Sequence, residues 1–167
     1  MAYVTSGMAG VSLTKLTTGT TTDGAGAEFA LGTRATATDG SEWVYVQAAA
    51  ALAIYSCLAI DENFQASLVT STLAKAGYSI GFNQVAFADN DMGWVACNAP
   101  GNINVRLLTS CAADVQLYTS ASAGILDDTA TSTACLIRGV VAVVAASATA
   151  VGYREAIAVY PSATASP

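Results

Sequence analysis

The chain has 167 residues, 53% of them apolar and only 11% charged, with six Lys and Arg against twelve Asp and Glu, no His, and a net charge of −6. A charged share less than half the usual ~25%, without a basic cluster, leaves no electrostatic footprint for nucleic acid, and the length suffices to bury a genuine core in one domain. The longest apolar stretches, residues 48–60 and 139–150, fall short of the ~20 residues of a membrane-spanning helix, and no basic region followed by a compact apolar block marks a secretory signal, so neither a membrane nor export is expected.

Residues 1–27 hold seven Thr, five Gly and two Ser around thin apolar content: Tyr3, Val4, Val11, Leu13 and Leu16. Such a segment cannot bury enough surface to fold alone. It reads either as a disordered or edge segment or as an extended arm ordered by a neighbouring subunit, with those five side chains as its partner-binding residues. A domain is expected over residues 28–160 and a polar tail over 161–167.

Residues 29–33 form a short apolar run ending near Gly32. Asp39-Gly40 is a turn signal, and Trp43 to Val46 is aromatic and β-branched, which is strand chemistry. Together they predict a hairpin. Residues 48–60 are ambiguous between helix and strand, and a turn near 48–52 followed by a strand is favoured. Residues 65–73 predict a strand, and residues 73–77 a turn or a single helical turn ended by Gly77. Residues 80–87 and 94–97 predict two strands of a hairpin across Asp89-Asn90-Asp91-Met92-Gly93, where Asn and Asp accept left-handed conformations and Gly93 takes positive φ at little cost. Pro100-Gly101 reads as a break. Residues 102–107 alternate polar and apolar as a half-buried strand does. Short strands follow near 115–118 and 124–126, and two more over 137–144 and 153–160. Nine or ten short strands separated by turn signals predict an all-β fold, a small barrel or jelly-roll-like sandwich with an extended N-terminal arm.

Chemistry is sparse. Without His, Ser-His and Cys-His arrangements are excluded. Lys15 and Lys75 lie in poor settings for a desolvated base. The carboxylate pairs Asp61-Glu62, Asp89-Asp91 and Asp127-Asp128 would suit a hydrolase by type, but all three sit where a solvated turn Asp is expected. Asp89-Asn90-Asp91 opens like a calcium loop, yet no acid follows at the required spacing. Cys57, Cys97, Cys111 and Cys135 form no CxxC pair and are flanked by apolar residues, which predicts free, buried thiols rather than disulfides or a zinc site. Trp43, Tyr45, Tyr78 and Trp94 read as core anchors, with a sugar-binding platform as the alternative. No catalytic residue, metal or cofactor is expected. The thin charge coat points to a surface covered by something else, since charge is depleted at interface cores; a Thr/Ser-solvated monomer is the other reading.

Three stretches carry a resemblance: residues 29–34 with 39–47, from Phe29 to Gln47; residues 78–96, from Tyr78 to Ala96; and residues 114–128 running on through 137–143, with Gly139-Val140-Val141 in the last. Together they resemble small structural proteins encoded beside the major capsid protein in tailed bacteriophages, and the last is similar to capsid decoration, or cement, families. The resemblance covers roughly residues 29–159. It implies a β-barrel or jelly-roll subunit, homotrimeric, on the outer capsid surface of the virion, with the major capsid protein as partner and no catalytic residues. A carbohydrate-binding or adhesin-type β module on a virion or cell surface is the alternative.

Overall fold

The computed structural model describes residues 10–20 and 24–165. Ten strands and one short helix follow in chain order: β1 (Arg34–Thr36), β2 (Glu42–Ala48), β3 (Cys57–Ile60), β4 (Gln65–Leu68), α1 (Ser71–Lys75), β5 (Ser79–Asn83), β6 (Met92–Leu107), β7 (Gln116–Thr119), β8 (Leu126–Asp127), β9 (Cys135–Ala142) and β10 (Gly152–Ala165). The fold is all-β, as the turn spacing predicts. The strands run in the order β1-β2-β4-β3-β5-β6-β10-β9-β7-β8, with further pairings β2–β6 and β6–β8. Those two pairings bring each half of the sheet back to β6. The parallel β2–β4 contact spans two residue pairs and β6–β8 only one. These short contacts do not make a single closed barrel wall; of the small barrel or jelly-roll-like sandwich expected, the all-β class holds, with two pairing circuits sharing one long strand.

This sharing explains why the N-terminal strands are buried on both faces. Side chains alternate across a strand. Trp43 and Tyr45 of β2, Cys57 and Ala59 of β3, and Trp94 and Ala96 of β6 join a large core with Ile103, Val105, Leu117, Ile137 and Ala156 of the C-terminal half. Their alternates Val44, Val46, Leu58, Ile60 and Val95 form a second core with Leu52, Ala66 and Phe87. Phe29, Tyr45 and Trp94 meet with ring centroids 5.2–5.4 Å apart, an arrangement of edges against faces that aromatic quadrupoles favour.

Several boundaries differ from expectation for identifiable reasons. The strand expected over 80–87 stops at Asn83, whose buried amide donates to the carbonyls of Ala53 and Val85 and whose Oδ1 accepts from the Ser56 amide. Of the residues expected to accept positive φ in the following turn, Asn90 does so, at φ +64, and Gly93 does not. Gly93 lies in β6, where a Cβ would stand 2.6 Å from Leu16. Pro100-Gly101 does not break the chain but lies inside β6. Residues 161–165 are not a tail: β10 continues through them, pairing Ser162 with Arg138 and Ala163 with Ile137. The helical turn is α1, N-capped by Thr70, whose hydroxyl accepts from the Leu73 amide, and followed by Gly77 at φ +79.

Three neighbouring strands bulge at one level. Between the pairs Ala99↔Ala158 and Ile103↔Ala156, three residues of β6 including Pro100 oppose Ile157 alone. Between Ala158↔Val140 and Ser162↔Arg138, three residues of β10 oppose Gly139. Between Gln116↔Val141 and Leu117↔Ile137, β9 has three residues with no counterpart on β7. Bulges bend and twist a strand, so this seam is where the sheet turns from one half to the other. Proline, which has no amide hydrogen to donate, is tolerated there.

Candidate docking surface

The described part of the N-terminal segment lies on the chain itself. Thr17 and Met92 exchange two backbone hydrogen bonds of 2.8 Å. Val11 and Leu13 pack, half-buried, against the larger core and Leu16 against the smaller. Gly19 is buried so close to Asn90 that a Cβ would stand 2.2 Å from its carbonyl oxygen. The side chain of Gln47, fully buried, accepts from the amide of Gly24 and donates to the carbonyl of Asn90. Val11, Leu13 and Leu16 thus contact their own domain, while Tyr3 and Val4 lie outside the described residues.

Four of the six carboxylates singled out in the sequence accept backbone amides, three of them within local turns. Asp61 Oδ1 accepts from the amides of Asn63 and Gln65, Asp91 Oδ2 from Ala88, Asp127 Oδ1 from Asp128 and Asp128 Oδ2 from Ala112. Of the four aromatic residues weighed as a sugar platform, Trp43, Tyr45 and Trp94 are core and Tyr78 is half-buried against it. All four thiols are free, and Cys57, Cys111 and Cys135 are buried, while Cys97 is half-buried.

What sequence patterning does not isolate is the outer face of the β9–β10 hairpin. Among the described residues the exposed large apolar side chains are Ile54, Val141, Val143, Val144, Val151, Tyr153, Ile157, Val159 and Tyr160, and all but Ile54 fall between residues 141 and 160. Val141 and Ile157 are direct cross-strand partners. Val143 donates to the carbonyl of Glu155, which continues the same register. Val141, Val143, Tyr153, Ile157 and Val159 therefore share one face, while Val140, Ala142, Ala156 and Ala158 between them point into the core. Ile54 joins through its neighbour Tyr55, whose ring lies 4.6 Å from that of Tyr153. These residues flank an open cleft of 290 Å³ that also reaches Arg106 and Val151. Tyr55 is held at φ +63; its amide donates to Asn83 and its carbonyl accepts from Arg106.

Within the β10 bulge, Tyr160 takes φ +42. Its hydroxyl donates to Glu42 Oε1 at 2.7 Å, and this bond to a carboxylate holds the phenol above its ordinary pKa. Cys97 is also raised, by burial, against the opposing charge of Arg34. Over the segment from Cys135 to Ala165 the charged residues are Arg138, Arg154 and Glu155, a local excess of one positive charge in a chain of net −6. A search against protein-family models and a search of curated proteins each return no match to this chain.

Proposed function

We propose that the chain is a non-enzymatic structural protein of a phage head, a homotrimeric decoration subunit on the outer capsid that cements adjacent major capsid protein subunits. One observation carries this reading: five of the nine exposed large apolar side chains among the described residues, Val141, Val143, Tyr153, Ile157 and Val159, lie on one face of one hairpin. Scattered surface apolar residues need no explanation, but a contiguous face of them marks an interaction site. A strand pair that buries small and medium apolar residues inward and presents valines, an isoleucine and a tyrosine outward is built to be covered on both sides. The thin charge coat, the resemblance of residues 29–159 to small structural proteins encoded beside the major capsid protein, and that of residues 114–143 to cement families support the same class.

The mechanism is area burial repeated over many copies. Burial yields roughly 25 cal/mol per Å² before ordering costs, and a stable contact needs about 1,200–2,000 Å² in total. β-Branched side chains on a paired hairpin lose little rotamer freedom on contact, which keeps the ordering cost low. Each subunit then adds a modest contact, and many tethered contacts together resist separation of the capsomers beneath.

The double substitution Val141→Asp/Ile157→Asp tests this. Both side chains are on the solvent face, but two like charges directly opposite on a strand pair repel, so the variant should melt about 5 °C below the parent and still fold, as circular dichroism checks. On heads of the phage that carries the gene, its occupancy should fall at least about tenfold. A variant that folds and decorates heads at full occupancy would sink the reading.

A further inference from the structure

The cleft beside Tyr160 does not belong to the apolar face and has a different chemistry. It is an open space of 280 Å³ whose lining includes Arg34, Tyr78, Ser79, Cys97, Tyr160 and Ser162. Positive φ is uncommon in a bulky residue and persists only where surroundings impose it. Here the β10 bulge and the bond from the phenol to Glu42 do so, and the result is a ring fixed at its tip yet 64% exposed, the most exposed of the large apolar side chains. Arg34, also exposed, donates from Nη1 to Cys97 Sγ at 3.5 Å, a weak acceptor. Among the described residues no carboxylate pairs with it; the ion pair there is Lys15–Glu28. Its planar fork therefore keeps most of its five donors available for a carboxylate.

We propose that this cleft binds a single carboxylate-bearing sugar ring, of the uronic-acid class. Aromatic faces are electron-rich and suit the polarised C–H face of a sugar, and Tyr78 and Tyr160 supply two of them. Ser79 and Ser162, both exposed and lining the cleft, bring hydroxyl groups to it that suit those of a sugar ring. Arg34 takes the carboxylate, bidentately, as guanidinium geometry favours. The space lies just below the range of pockets that hold drug-sized ligands, so it admits one ring rather than a chain. A neutral sugar would leave Arg34 unused, and an acidic peptide side chain would leave both rings unused. This inference rests on no part of the assembly reading.

Amide chemical-shift titration of the whole ¹⁵N-labelled protein tests it, with glucuronic acid, glucose and N-acetylglutamate as probes. Glucuronic acid should move signals of residues 34, 78–79 and 160–162 with a Kd of about 1 mM, and glucose and N-acetylglutamate should each bind about tenfold more weakly. Arg34→Gln should reduce glucuronic acid to the affinity of glucose. Tyr160→Ala should weaken it at least about tenfold. Ser162→Trp, which fills the cleft from an exposed position, should abolish binding with the fold intact. The proposal is overturned if about 20 mM glucuronic acid moves none of these signals, if N-acetylglutamate binds as well as the sugar acid, or if folded Ser162→Trp protein binds unchanged.

Discussion

Cys111 shows how one residue ties stability to pH. Its side chain is fully buried, and Sγ lies within 4.8 Å of the Asp127 and Asp128 carboxylates. Burial first, then the charges of Asp128 and Asp127, push the thiol up to about 11 from an ordinary 9.0. The fold holds the neutral thiol, so this contribution is complete below pH 9 and is lost as pH rises toward 11. Cys57, raised further by burial alone, adds to the loss at the alkaline end. In urea titrations at pH 8 and pH 10.5, Cys111→Ala should lose less stability between the two than the parent does, by about 1 kcal/mol after allowance for solvent screening of the carboxylates. An equal loss in both proteins would show that this thiol does not titrate with unfolding. The same residue marks a limit of sequence reading. Its apolar neighbours predict a buried free thiol, but its carboxylate neighbours come from β8 and the turn after it, and no local pattern announces a contact across 16 residues.

At the scale of elements, the bulge seam depends on a glycine. Gly139 sits at φ +78, and a Cβ there would stand 2.3 Å from the carbonyl oxygen of Val159. Gly77 has nearly the same φ, +79, with nothing within 4 Å of its Cβ position. Gly139→Ala should therefore cost about 3 kcal/mol, conformational strain plus a backbone clash, and Gly77→Ala about 1 kcal/mol from strain alone. Chemical denaturation of the two variants checks the difference, and equal costs would mean that the backbone at Gly139 yields to a Cβ without loss. The strands themselves are largely legible in the sequence, because aromatic and β-branched runs between Gly, Asp and Asn turns state their own period. Trp43 to Val46 and residues 102–107 are examples. What is not legible is continuity. Pro100 and Pro161 read locally as interruptions, yet each lies within a long strand, because bulges remove the need for the amide that proline lacks. The candidate site is hidden for a related reason. Val141 and Val140 look alike in sequence, and only the register against β10 decides which of them faces outward. Tyr160 is marked by no motif, since its conformation follows from three strands bending at one level.

For the whole molecule, the two cores are not separate units. The larger one draws on β2, β3 and β5 from one circuit and on β7, β9 and β10 from the other, and β6 belongs to both. Loss of β6 would open both circuits at once. Thermal unfolding followed by tryptophan fluorescence, which reports on Trp43 and Trp94, and by far-UV circular dichroism should therefore give one coincident transition. Two resolved transitions would divide the chain into independent halves. The place of β10 in this arrangement also bears on how the protein is made. It is the last strand in chain order yet lies in the middle of the sheet, hydrogen-bonded to β6 on one side and β9 on the other. While residues 1–151 emerge from the ribosome, at about 5–20 residues per second, β6 and β9 have an empty position between them and their apolar edges are open. Completion of the fold waits for translation of β10, so the nascent chain passes through an interval of exposed strand edges that holdase chaperones would recognise, and a chain cut before Gly152 would aggregate rather than form a smaller domain.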